Sequence, residues 1–89
     1  MNRVANIQTR LASLDPVSLE IIDDSHKHAG HTGSRSGGGH YALRIVSMRF
    51  AGRNTMSRHR MIYSALGDMM GREIHALNIL AHTPDEINF

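Results

Sequence analysis

Between Arg3 and Leu14 the apolar residues Val4, Ile7, Leu11 and Leu14 recur at steps of three and four, the spacing of one helix face. Asp15-Pro16 closes that pattern, because the residue before a proline is driven out of the helical region. Val17 to Asp23 (VSLEIID) is short, rich in branched residues and roughly alternating, and predicts a strand. From Asp24 to His40 (DSHKHAGHTGSRSGGGH) no apolar period survives, and the pattern predicts a long loop. Alternation returns over Tyr41 to Ser47 (YALRIVS) as a second strand, antiparallel to the first across a wide hairpin.

Phe50-Ala51-Gly52-Arg53 predicts a turn, and Asn54, Thr55 and Ser57 are each able to cap a helix starting there. Met61, Ile62, Ala65, Leu66, Met69 and Met70 then hold one face of this second helix, with Gly71 as its stop. Glu73 to Ala81 (EIHALNILA) predicts the third strand, and Thr83-Pro84-Asp85-Glu86 a short terminal turn of helix. Strands two and three are joined through a helix and should run parallel with a right-handed crossover. The expectation is a single α/β domain over residues 1–89, of the α+β kind, in the order α-β-β-α-β. Its three-stranded mixed sheet carries both helices on one face, and a flexible Gly/His-rich loop spans 24–40.

Composition narrows the function classes. At 89 residues there is room for one modest core and no separate catalytic domain. The chain has no cysteine, which excludes thiolate chemistry of its own and disulfide staples, and six methionines supply part of the packing. Ten Lys and Arg against eight Asp and Glu give +2, a weak balance for a protein whose main task is neutralising phosphate. The N-terminal stretch lacks the apolar run of a secretory signal, and no segment approaches the ~20 apolar residues of a membrane span. The expectation is a soluble cytoplasmic protein that is not an enzyme and has no membrane partner. No nucleophile–base pair stands at recognisable spacing, and Ser36-Gly37-Gly38-Gly39 lacks the strand-to-helix context of a phosphate-cradling loop.

Seven histidines in so short a chain raise the question of metal, since imidazole is the commonest metal ligand. Four of them, His26, His28, His31 and His40, fall within the long loop segment.

Several strings together resemble the BolA family. They are Leu19 to Ser25 (LEIIDDS) with its His-rich continuation to His31, Gly39-His40-Tyr41 leading into Ile45-Val46-Ser47, Phe50 and Gly52 followed by Arg58-His59-Arg60, then Ile74-His75-Ala76-Leu77 and Thr83-Pro84. The match covers nearly the whole chain in order, and the Phe-x-Gly with its Arg-His-Arg is its most specific part. The loop departs from the family pattern, with a longer, glycine-richer stretch over Thr32 to Gly39.

The resemblance implies a fold like the class II KH domain. It also implies partnership with a monothiol (CGFS-type) glutaredoxin around a shared [2Fe-2S] cluster, serving iron-sulfur trafficking or iron-linked regulation. On this pattern His75 is the expected ligand from the third strand, with His28 as the loop ligand and His31 close behind; His26 and His40 are less favoured. The glutaredoxin and its glutathione would supply thiolates and this chain nitrogen. Exchanging thiolate for imidazole raises a cluster's potential and makes it asymmetric and pH-sensitive. Without thiolates the isolated chain is expected to be monomeric and to hold no cluster.

His59 is expected to be structural, tying the helix start to the turn at Gly52, and His82 has no assigned role. The alternative partner is DNA, met by Arg53, Arg58 and Arg60 near a helix start, where free N–H groups and positive charge attract phosphate. The turn Gly52-Arg53-Asn54-Thr55 lacks the second glycine of a Gly-x-x-Gly clamp, which argues against KH-style RNA binding.

Overall fold

In the computed structural model, residues 2–25 and 39–87 are described. Helix α1 covers Arg3–Leu11 and tightens into a 3-10 turn at Ala12–Leu14. Asn2 caps it, its Oδ1 accepting from the Ala5 N–H at 2.7 Å. Asp15 then takes a left-handed conformation (φ 50°) that reverses the chain ahead of Pro16. Strand β1 (Ser18–Asp23) pairs antiparallel with β2 (Gly39–Val46), and β2 pairs parallel with β3 (Ile74–His82), giving the order β1-β2-β3. Helix α2 (Thr55–Leu66) crosses between β2 and β3, and a 3-10 turn at Pro84–Ile87 succeeds β3.

Three boundaries differ from expectation by more than one residue. Gly39 and His40 belong to β2 and not to the loop, because the Gly39 N–H bonds the Glu73 carbonyl and starts the ladder to β3. Helix α2 stops at Leu66 and not near Gly71: Gly67, at φ 57° and ψ −128°, turns the chain away, and Arg10 reaches over to donate to the Leu66 carbonyl at 2.9 Å. Gly71 (φ 85°) serves the turn just before β3 instead. Finally, α1 ends one turn early, its last apolar residue Leu14 being carried by the 3-10 turn.

One core lies between the sheet and both helices. Ile7 and Leu11 from α1, Ile62 and Leu66 from α2, Tyr41, Leu43 and Ile45 from β2, Ile74 from β3 and Phe50 are all buried in it. Alternation along each strand sends these residues inward and their neighbours to the opposite, uncovered sheet face. Buried Ser47 joins the end of β2 to α1 by donating to the Leu14 carbonyl at 2.6 Å. No helix among the described residues is long and apolar enough to cross a membrane.

Candidate functional site

The parallel pairing of β2 and β3 puts the first residues of both strands at one end of the sheet. Gly39 registers with Ile74, but His40 registers with Ala76, so His75 is an extra residue in the ladder. Such an irregularity re-aims a side chain. Here it leaves His75 exposed, its ring centroid 5.2 Å from that of His40 with the planes tilted by 52°. These are the histidines that the structure brings together.

The backbone at His40 is held by two hydrogen bonds, and a third orders the serine that makes one of them. Its N–H donates to Ser25 Oγ at 3.0 Å, its carbonyl accepts from Asp24 N–H at 2.8 Å, and the Ser25 N–H donates to Asp23 Oδ1 at 2.9 Å. Gly39 lies directly under the Tyr41 ring, so close that a Cβ there would stand 2.6 Å from Tyr41 Cε2. The His40 position is therefore fixed by a serine, a tight glycine and a buried tyrosine. His28, His31 and His26 lie outside the described residues.

The His40 and His75 imidazoles set what this arrangement can hold. Among the described residues no three His, Cys, Asp or Glu side chains converge as a metal site. A pair of nitrogen donors supplies half of a four-ligand sphere, so these two histidines fit a cluster or metal whose remaining ligands come from outside the described residues. His40, less favoured on sequence, is beside His75 because both histidines stand at the start of adjacent parallel strands.

The basic segment divides. Arg58 is drawn inward, its side chain 11% exposed and its guanidinium 5.9 Å from the Phe50 ring centre. It donates to the Arg53 carbonyl at 2.8 Å, the Ala81 carbonyl at 3.0 Å and both oxygens of Glu86 at 2.6 and 2.7 Å. The Arg58 fork, with help from the Thr83 N–H, holds the Glu86 carboxyl down to about 2. Arg58 thus ties the start of α2 to the turn at Arg53, the job expected of His59, and also to the end of β3. The His59 ring instead stands edge-on to Tyr63 at 6.3 Å.

Arg53 and Arg60 are exposed and border one shallow depression of about 490 Å³ with Ser13, Ser57 and Ser64, a lining without a carboxylate. Arg53 donates to Ser57 Oγ at 3.2 Å. By contrast Arg10, Arg44, Arg49, Arg58 and Arg72 each have a carboxylate within ion-pair distance.

Comparison with known proteins agrees with this architecture. Residues 11–86 match the family model described as BolA-like protein. The chain is 47% identical over 79 residues to SufE-like protein 1, chloroplastic/mitochondrial, of Arabidopsis thaliana, a match covering 83% of this chain and 21% of that protein. It is 38% identical to Protein BOLA1, chloroplastic, of the same plant, over 96% of this chain and 56% of that one. The chain thus spans between a fifth and about half of the length of these two relatives. To the DNA-binding transcriptional regulator BolA of Escherichia coli (strain K12) it is 40% identical, over 84% of this chain and 69% of that protein. Among solved structures, the BolA domain of SufE1 from Arabidopsis thaliana superposes with a TM-score of 0.83 at 44% identity, covering 98% of both chains. Element order, sheet topology and these matches together place the chain in the BolA family.

Proposed function

We propose that this chain binds a monothiol glutaredoxin and co-ligates a [2Fe-2S] cluster through histidine, in iron-sulfur trafficking or iron-linked regulation. The observation that carries this reading is the His40–His75 pair, two imidazoles 5.2 Å apart at an exposed sheet end, in a chain without cysteine. His75 is the ligand from β3; the second nitrogen comes from His40 or from His28 or His31. Glutaredoxin and glutathione provide the thiolates. When bound, the shared cluster supplies one-electron redox chemistry and is itself the cargo for transfer. The chain's own part is to aim His75 outward from the ladder irregularity, and to hold His40 beside it through Ser25, Gly39 and Tyr41.

The test is a titration of this chain into a monothiol glutaredoxin reconstituted with [2Fe-2S] and glutathione, monitored by visible circular dichroism. A new spectrum that saturates near equimolar chain and is lost in His75→Ala is the expected result. Alanine at His40, His28 and His31 in turn identifies the second ligand. An unchanged glutaredoxin spectrum refutes the reading.

DNA binding is the second reading, favoured by the depression that Arg53 and Arg60 border without a carboxylate. Arg58 is occupied by Glu86 and takes no part. The affinity of the chain for duplex DNA should fall with salt, and the slope should shrink by about one unit for each of Arg53→Ala and Arg60→Ala. Salt-independent or undetectable binding removes this reading.

A further inference from the structure

Among the described residues the three-stranded sheet has helices on one side only, and alternation should make its other side polar. That side is instead mixed, large apolar side chains standing beside Glu20, Arg44 and Asn78. Ile22 is 48% exposed and Leu80 52% exposed on that open face, and with Ala42 they line a shallow basin of about 330 Å³. The charges present, Glu20 and Arg44, face each other across the strands at 3.9 Å and cancel. A second hollow of about 300 Å³ shares Arg44 and Leu80 and is also lined by His82. Among the described residues the buried His82 Nδ1 has no hydrogen-bond partner.

We infer that the open face of the sheet, centred on Ile22, Ala42 and Leu80, is the surface on which the cluster-bearing glutaredoxin docks. The inference rests on the histidine reading above and adds where and how the partner sits. Continuity identifies the occupant. His40 lies between buried Gly39 and buried Tyr41, so alternation places it on the open face, in the strand position two residues before Ala42. Ala42 in turn pairs with Ile22 in β1 and with Asn78 in β3. A partner that shares a cluster with His40 and His75 already stands over this end of the face. Two imidazoles fall far short of the ~800 Å² per partner that a specific interface buries. The inward side of the same strands is filled by the core, so contact spreads from the histidines over Ala42 toward Ile22 and Leu80. The partner patch that fits is largely apolar and without net charge, with a polar group to meet Asn78, because the Glu20–Arg44 pair leaves no net charge to match.

The experiment is the same dichroism titration with Ile22→Glu and Leu80→Glu, each checked for an unchanged urea midpoint. Met56→Glu, an exposed apolar position at the start of α2, is the control. The expected result is at least tenfold weaker association for both open-face variants and less than twofold change for Met56→Glu. As a measurement that needs no variant, Ile22 and Leu80 methyl resonances of the unaltered chain should broaden or shift on adding cluster-loaded glutaredoxin. Normal titration by both open-face variants together with unmoved methyl signals overturns the docking surface while loss in His75→Ala keeps the histidine reading. No spectral change with the unaltered chain overturns both.

Discussion

Gly39→Ala tests whether the Gly39–Tyr41 contact governs the histidine site. An added Cβ would meet Tyr41 Cε2 and Oη at 2.6 Å and Cζ at 2.7 Å, about 1 Å inside ordinary contact. Tyr41 is only 3% exposed and lies within the core cluster, so its ring can yield only toward the hollow of about 460 Å³ that it lines with Asn2 and Ser25, giving up core contact as it does. Overpacking of this kind costs about 1–3 kcal/mol. Gly39 is not among the positive-φ residues, so alanine also gains about 0.4–1 kcal/mol by restricting the unfolded chain. The balance is a net loss of about 1.5 kcal/mol, which for a domain this size lowers Tm by about 6–12 °C. Urea unfolding should show a lower midpoint with an unchanged slope.

A double-mutant cycle assigns the cause. With Tyr41→Leu in place the ring is gone, and Gly39→Ala should cost about 1 kcal/mol less than in the parent chain. The His40 ring resonances should move in Gly39→Ala, since residue 40 lies between the two partners of the clash. An unchanged or higher urea midpoint in Gly39→Ala, or additivity within about 0.3 kcal/mol in the cycle, refutes the contact as the constraint.

Ser47→Ala leaves the Leu14 carbonyl and the Arg49 N–H without their buried partner and should cost about 1–3 kcal/mol in urea unfolding; a loss below about 0.5 kcal/mol would show that this bond does not secure α1 to β2. Glu86 has its folded value depressed from 4.5 to about 2, so its pairing stabilises the fold above pH 4.5 and the contribution is lost as pH falls through 2. The stability gap between the parent chain and Glu86→Gln should therefore be full at pH 6 and close toward pH 2, and a gap independent of pH contradicts the Arg58 fork as its source.

Much of the fold is legible in the sequence because one face of each element is buried. Val4, Ile7, Leu11 and Leu14 keep helical spacing even though the last of them sits on a 3-10 turn, since both helix types return to the same side every three or four residues. The stop of α2 is not legible, because Met69 and Met70 continue the helical spacing past it. Met69 is indeed buried, but it is delivered by a 3-10 turn after Gly67 has redirected the chain. Arg58, Arg53 and Arg60 look equivalent in sequence. What separates them is Glu86, 28 residues on, which the turn after β3 returns to Arg58.

Sequence undervalues His40 for a related reason. A histidine bordering a strand is, taken alone, a packing residue, and nothing in Gly39-His40-Tyr41 says what stands next to it. The signal is present at the level of topology: a helix-linked pair of strands runs parallel, parallel strands begin at the same end, and His40 and His75 each occur at a strand start. Ala76 is the register partner of His40, and His75 is the extra residue between that pair and Gly39–Ile74, its ring 5.2 Å from that of His40. Periodicity locates a strand to within a residue or two, and one residue is the whole difference between a histidine facing the core and one facing its neighbour. A donor pair built on such an offset is therefore sensitive to any change that shifts the ladder. The close packing of Gly39 under Tyr41 and the Ser25 bond to His40 stand where such a shift would begin.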